Sequence, residues 1–320
     1  WSGESGVYAE YLDYYGNALL HDAPDLSSLY TPIDVGLTDL FEEYQMIHYG
    51  DEAIPNLTAE LPRDAIFKEC SNWLPSVYSS RGVYQGELAN FALAAYMSGQ
   101  YELADRMMRG IEHGLFQSKG AGPGLVSHQN NENGENTGHL DFADVSSMVV
   151  RTAVEGTFGI AMNVPDGTAS ITPGFPADWE EASIDTSYLG YSYQYEGATE
   201  TLCIHSEKEL SYQLSLKMRS ADVVRVTVDG VETPYTVEAG VEHSYLHVTT
   251  PSSTSAQIVV EYGSAALPQL EADDVATTQE AYSFAVANGA IAEVYDPQGV
   301  LASCDYAQNT ASVTFRGGLE

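Results

Sequence analysis

GHLDFADVSSMVVRTAVEGTFGI (residues 138–160) and TASITPGFPADWEEASI (168–184) flank the change of period on which the fold turns. In the first stretch Val145, Met148, Val149, Thr152 and Ala153 recur at helical spacing, the mark of one apolar helix face. After Pro165 the period becomes two. Tyr191, Tyr193 and Tyr195 alternate with polar residues, as do Tyr212, Leu214, Leu216 and Met218. VVRVTV (223–228) runs into Asp229-Gly230, a hairpin signal, then into VETPYTV, and QIVVEY (257–262) reads as a closing strand. Helices before the switch and strands after it predict a helical unit over 1–164 and an antiparallel β-sandwich over 165–263.

Upstream, Leu88, Phe91, Ala92, Ala95 and Tyr96 share one helix face. Leu103, Met107, Met108, Ile111 and Leu115 share another, after the break Ser98-Gly99-Gln100. TDLFEEYQMIH (38–48) predicts a further helix with Gly50 at its end. Loops rich in Gly, Pro, Asn and aromatics are expected at 1–35, 71–86 and 117–139, and long ordered loops between helices often carry sites. Downstream, 264–275 reads as a linker. AYSFAVANG, AIAEVYDPQG and ASVTFRG then predict short strands with turns at Asn288-Gly289 and Asp296-Pro297-Gln298-Gly299. The span 264–320 is thus expected to be a linker and the start of a further β module, which makes the chain an α+β multidomain protein.

With 320 residues, 44% of them hydrophobic, the chain can build two packed cores. Its 12 basic and 46 acidic residues give a formal charge of −34, which repels phosphate backbones and excludes nucleic-acid binding. The acidic residues are spread along the chain, as on a solvated surface. No apolar run is long enough for a membrane helix. Cys70, Cys203 and Cys304 are far apart, with no CxxC spacing, and are expected to be buried thiols. A start at Trp1 without Met reads as a piece of a longer protein.

Three segments could carry chemistry. The first, WSGESGVYAEYLDYYG, packs Glu4, Glu10 and Asp13 among Trp1, Tyr8 and further tyrosines. Aromatic faces stack on sugar rings, and their bulk can raise the pKa of a neighbouring carboxyl. The plainer alternative is a Tyr-rich helix start with solvent-facing acids. In the second, Trp73, Tyr78, Arg81 and Tyr84 lead to Glu87, which begins a helix. A helix N-terminus stabilises a carboxylate, as a general base requires, although a simple capping acid would look the same. The third, SHQNNENGENTGHLDFADVSSM, concentrates His128, Asn130, Asn131, Asn136, His139, Asp141 and Asp144. These could bind hydroxyls; Asp141 could equally cap the helix that follows. No EF-hand spacing occurs, so no metal is assigned.

These segments resemble the six-hairpin, or (α/α)6-barrel, glycosidase superfamily. The resemblance rests on Gly156, Phe158, Gly159, Pro173, Pro176 and Trp179, which match the E/R-G-x-x-G-I/L and P-x-x-P-x-x-W pattern joining the last barrel helix to a C-terminal sandwich. ELANFALAAYMSGQYELADRMMRGI is similar to the penultimate helix pair of the same barrels. The resemblance implies the C-terminal half of an (α/α)6 barrel, then an antiparallel β-sandwich and a short extra β segment, in an uncharacterised bacterial branch. By the same resemblance Glu10 would be the general acid, with Glu4 and Asp13 as alternatives, and Glu87 the base. A carboxylate at that position favours hydrolysis over phosphorolysis.

The leading expectation is therefore an inverting glycoside hydrolase acting on a plant or microbial glycan, without a cofactor. Trp1, Tyr8, Trp73, Tyr78, Arg81, Tyr84, His128, His139 and Asp141 are its candidate substrate contacts. One alternative is a polysaccharide lyase of the α/α-toroid type, with Tyr8, His139 and Arg81 recruited. Another is a non-catalytic glycan-binding protein. The expected partners are a carbohydrate and the missing N-terminal half of the barrel, not a membrane, and the expected location is secreted or periplasmic in a bacterium.

Overall fold

The computed structural model describes residues 1–3, 5–57, 61–74, 81–116, 129–131, 135–137, 143–273 and 275–316. Five α-helices lie among them: α1 (Leu26–Asp34), α2 (Leu40–Ala53), α3 (Gln85–Met97), α4 (Tyr101–Phe116) and α5 (Ala143–Arg151). A π-helical turn, Thr152–Thr157, continues α5. Two-residue strands tie the loops: β1 (Tyr11–Leu12) pairs with β2 (Leu20–His21), and β4 (Gln129–Asn130) lies between β3 (Val83–Tyr84) and β5 (Asn136–Thr137).

Helix α3 is the axis of the helical unit and packs against α1, α2, α4 and α5. It is buried nearly all round, from Leu88 through Tyr96, because it has a neighbour on each side. The surrounding helices show one buried stripe each, such as Ala104, Met107, Gly110 and Ile111 on α4. Helix α2 does not stop at Gly50 but runs on to Ala53. Gly50 is needed for packing instead: a Cβ there would lie 2.3 Å from the Phe91 ring. Helix α1 falls in a span expected to be loop. Asp25 caps it by accepting from Ser28 N at 3.0 Å, and Leu26, Leu29 and Ile33 are buried.

The ends of α1 and α5 fix their direction. Arg151, closing α5, makes two bonds to Asp34, closing α1, at 2.9 and 2.5 Å. Helices whose C-termini meet and which share α3 as a neighbour start at the same end of the unit. The start of α3 is there too, because a Cβ on Gly86 would touch Val145 of α5 at 3.4 Å.

The sandwich begins earlier than Pro165. β6 (Ile160–Asn163) pairs with β7 (Thr168–Ile171), and β8 (Glu181–Asp185) with β9 (Leu189–Glu196). β10 (Thr199–Lys217) is 19 residues long. β11 (Val223–Val228), β12 (Val231–Glu232), β13 (Thr236–Ala239), β14 (Ser244–Thr249) and β15 (Ser253–Tyr262) complete the domain. The first half of β10 pairs with β9 and β15; its second half pairs with β14 and, in parallel, with β7. An irregularity between His205 and Leu210 lets the strand pass from one sheet to the other. Tyr191, Tyr193, Tyr212 and the alternating leucines fill the core between the sheets, so the tyrosine stripe is packing. β16 (Gln269–Glu271), β17 (Ala281–Ala287), β18 (Leu301–Ala307) and β19 (Thr310–Phe315) form a separate sheet in the order β16-β17-β19-β18. AIAEVY (290–295), expected as a strand, crosses between β17 and β18 as irregular chain.

The junction between helices and sandwich explains the Gly and Pro pattern that flanks it. Gly159 has φ +62°, and a Cβ there would lie 1.8 Å from Thr172 O. Its carbonyl accepts from Thr172 N at 2.9 Å. Phe175 stacks on Trp179 at 5.5 Å and meets Phe158 edge-on at 5.4 Å. On the helical side Tyr101 and Tyr245 share a 2.9 Å hydrogen bond, and Lys217 lies 5.4 Å above the Tyr101 ring. Of the three thiols only Cys70 is buried. Cys203 and Cys304 are exposed, because both lie on outward positions of their strands.

Candidate active site

Three helices begin together, and each begins with a carboxyl: Asp25 caps α1, Glu87 is the third residue of α3, and Asp144 is the second of α5. Helix starts expose unpaired N–H groups and favour negative charge, which is why three acids can gather there. Glu87 is half-buried and accepts a 2.7 Å hydrogen bond from the Tyr30 hydroxyl on α1. Burial pushes the Glu87 carboxyl above the usual carboxylate range; the Tyr30 bond draws it back, and the charges of Asp25 and Asp144 push it up again. Burial, together with the Glu87 charge, also raises the Tyr30 phenol, so the phenol keeps its proton and acts as the donor. Asp144 is exposed and accepts from Val145 N at 2.8 Å.

The floor of this site is tied down on several sides. Leu26 N donates to Cys70 O at 2.8 Å, and Cys70 N to Gly82 O at 2.8 Å, which lashes the segment before α3 to the start of α1. Burial raises the Cys70 thiol to about 12, with Glu87 the next cause, so it stays an inert S–H. Trp73 donates from Nε1 to Ala23 O at 2.6 Å, beside the α1 cap. Arg81 is paired with Glu69 in a close ion pair. Tyr84 stands at the N-cap position of α3.

Glu10 reaches the same helix start by another route. Its Oε2 accepts from Ser28 Oγ at 2.5 Å and from Asp25 N at 3.3 Å. Ser28 and Tyr30 are two residues apart on α1, which turns them about 200° around the axis. Glu10 and Glu87 therefore hold α1 from different sides. Asp13 lies 3.3 Å from His21 within the β1–β2 hairpin. Tyr8 and Trp1 pack edge-on at 5.3 Å, and the Tyr8 hydroxyl donates to Glu42 of α2 at 3.5 Å. Both turn toward the start of α2 rather than toward Glu87. Glu4, Tyr78, His128, His139 and Asp141 lie outside the described residues.

Two members of the site escaped the sequence reading: Asp25 and Tyr30, both within a span expected to be loop. The one available signal was Asp25 three residues before Ser28, a capping pattern ahead of the Leu26, Leu29 and Ile33 spacing.

No protein-family profile matches the chain, and no curated protein matches it. Among solved structures, an α-L-rhamnosidase from Dictyoglumus thermophilum is similar at 10% identity with a TM-score of 0.45, over 74% of this chain and 25% of that one. A GH127 β-L-arabinofuranosidase from Geobacillus Stearothermophilus T6 is similar at 8% identity with a TM-score of 0.33, over 82% of this chain and 45% of that one. The chain thus spans less than half the length of either. Among the described residues no helix is long and apolar enough to cross a membrane.

Proposed function

We propose that the chain carries part of the active site of a glycoside hydrolase in which Glu87 is the proton-donating carboxyl. The observation behind this is the state of Glu87: a half-buried acid whose pKa is raised, oriented by Tyr30, with two further carboxyls acting on it. A raised carboxyl beside a solvated one is the arrangement glycoside hydrolysis uses, with one group giving a proton and the other taking one. This reverses the role that the helix N-terminus alone suggests for Glu87, because burial outweighs the helix dipole. Asp144, exposed at the start of the adjacent helix, is the partner. Glu10 accepts two hydrogen bonds at α1 and serves as a positioning residue for that helix and for Tyr30.

In the reaction Glu87 transfers its proton to the glycosidic oxygen as the bond to the anomeric carbon breaks. Asp144 takes a proton from a water whose oxygen bonds to that carbon from the opposite face, and the configuration inverts. The strongly acidic surface favours a neutral glycan over a polyanionic one. The test is a product screen against neutral plant and microbial oligosaccharides, followed by variants on the cleaved substrate. Glu87→Gln and Asp144→Asn should each cost about 10²–10⁴ in turnover. Glu87→Gln should leave folding intact. Wild-type turnover in Glu87→Gln refutes the proposal, and a product of retained configuration on nuclear magnetic resonance refutes the part given to Asp144.

A further inference from the structure

We infer that the chain has a second carbohydrate-binding site, in the cleft between the start of α2 and the C-terminal β16–β19 sheet. The cleft encloses about 880 Å³. That lies in the range of ligand pockets, about 300–1,000 Å³. It is set off from Glu87. Helix α2 begins where Tyr8 and Trp1 meet Glu42, whereas Glu87 stands at the shared start of α1, α3 and α5.

Three aromatic side chains line the cleft: Trp1, Phe41 of α2 and Phe315 of β19. Trp1 is 42% exposed and packs perpendicular to Tyr8 at 5.3 Å, so its indole is held in place while remaining open to solvent. A side chain fixed in this way loses little freedom when a ring stacks on it. Polar groups interrupt the walls. Asp39 and Glu42 bond to each other's backbone in a capping box at the head of α2, which fixes both carboxylates as acceptors. Gln298 lies over Gly6, and Arg316 Nε donates to Leu301 O at 3.0 Å, leaving its guanidinium at the cleft edge. Acceptors, an amide and one cation around aromatic faces fit a polyhydroxylated ring. Two carboxylates facing one arginine do not suit an anion.

A second hollow of about 520 Å³ adjoins the cleft at Asp39 and Phe41 and is lined by Tyr44, Val241 and Tyr295. Tyr295 meets Phe41 edge-on at 5.9 Å. Successive aromatic faces along a trough fit an oligosaccharide strand better than a single sugar. The trough joins the helical unit, the sandwich edge at Val241 and the terminal sheet, so an occupant would clamp all three together.

This site does not require Glu87 to be catalytic. The test is calorimetric titration of the full chain with cellohexaose, xylohexaose, maltohexaose and arabinohexaose, with hexagalacturonate as the acidic control. At least one neutral hexaose should bind, and Trp1→Ala should weaken it at least tenfold. Gln298→Ala, which leaves the aromatic wall intact, should weaken it a few-fold, and both variants should melt as wild type does. Three results would overturn the inference: no neutral hexaose binds, hexagalacturonate binds more tightly than all of them, or Trp1→Ala leaves the affinity unchanged. Loss of turnover with binding retained bears on Glu87 alone, and the reverse bears on the cleft alone.

Discussion

The two ends of α3 are built from opposite materials. At its start a half-buried acid is held by one phenol, with the charges of Asp25 and Asp144 raising its pKa. At its finish Tyr96, Gly99 and Tyr101 lock against the sandwich through aromatic contacts and the Tyr101–Tyr245 bond. About 20 Å of helix separates the two. One end carries unfavourable electrostatics. The other supplies the packing that keeps the first in register. Tight packing and crowded carboxylate charge are thus placed at opposite termini of one buried helix.

Three experiments put that contrast to the test. The largest effect is expected at the locked end. Gly159→Ala forces a side chain into positive φ and onto Thr172 O, and should cost about 3–5 kcal/mol in denaturant unfolding. A small change there would mean the junction yields and does not brace α3.

The next concerns His243, stacked 5.6 Å from Tyr101. Burial, and the nearby Lys217 and Arg219 charges, lower it from 6.5 to about 4. The folded junction therefore keeps this ring neutral while the unfolded chain protonates it near 6.5. Its contribution to stability is complete above that pH and drains away as the pH falls toward 4, by at most about 3 kcal/mol. Melting curves of wild type and His243→Gln between pH 7 and pH 4 should converge on acidification; parallel curves would remove His243 from the account.

The smallest effect on stability belongs to the start of α3. Tyr30→Phe deletes the one hydrogen bond that draws the Glu87 pKa down. Stability should change by no more than about 1 kcal/mol. The alkaline limb of the turnover profile should move to higher pH, since the donor then keeps its proton longer. A limb that stays where it was, or moves down, would show that Glu87 is not the proton donor.

Period-two alternation and the Asp229-Gly230 turn are local signals, so β9, the second half of β10, the β11–β12 hairpin and β15 could be read, whereas β6, β7, β8 and β14 are too short or too mixed in pattern to stand out. The junction was readable through the resemblance at Gly156, Phe158, Gly159, Pro173, Pro176 and Trp179; the structure adds that Gly156 and Gly159 stand where a Cβ would meet Tyr96 and Thr172. Helix α1 was not readable. Its nine residues contain Pro32 and follow a Tyr-rich stretch, so propensity argued for loop, and burial against α3 overrode it. Missing that helix hid Asp25 and Tyr30, whose importance comes from meeting Glu87 across the fold. The same blindness applies to Trp1 and Tyr8. Proximity to Glu10 along the chain suggested a shared site, yet the Tyr8 hydroxyl reaches Glu42 of α2 whereas Glu10 reaches Ser28 of α1. Glu87 itself stood out at a helix start, but its raised pKa depends on burial that no local pattern carries.

One more property follows from β10. A single strand is hydrogen-bonded into both sheets of the sandwich, one along each half of its length. Neither sheet can peel away while the other survives, so the layers should melt as one cooperative block and resist a pulling force together. A protease able to cut at the crossover between Ser206 and Leu210 would sever that link and uncouple the melting of the two layers.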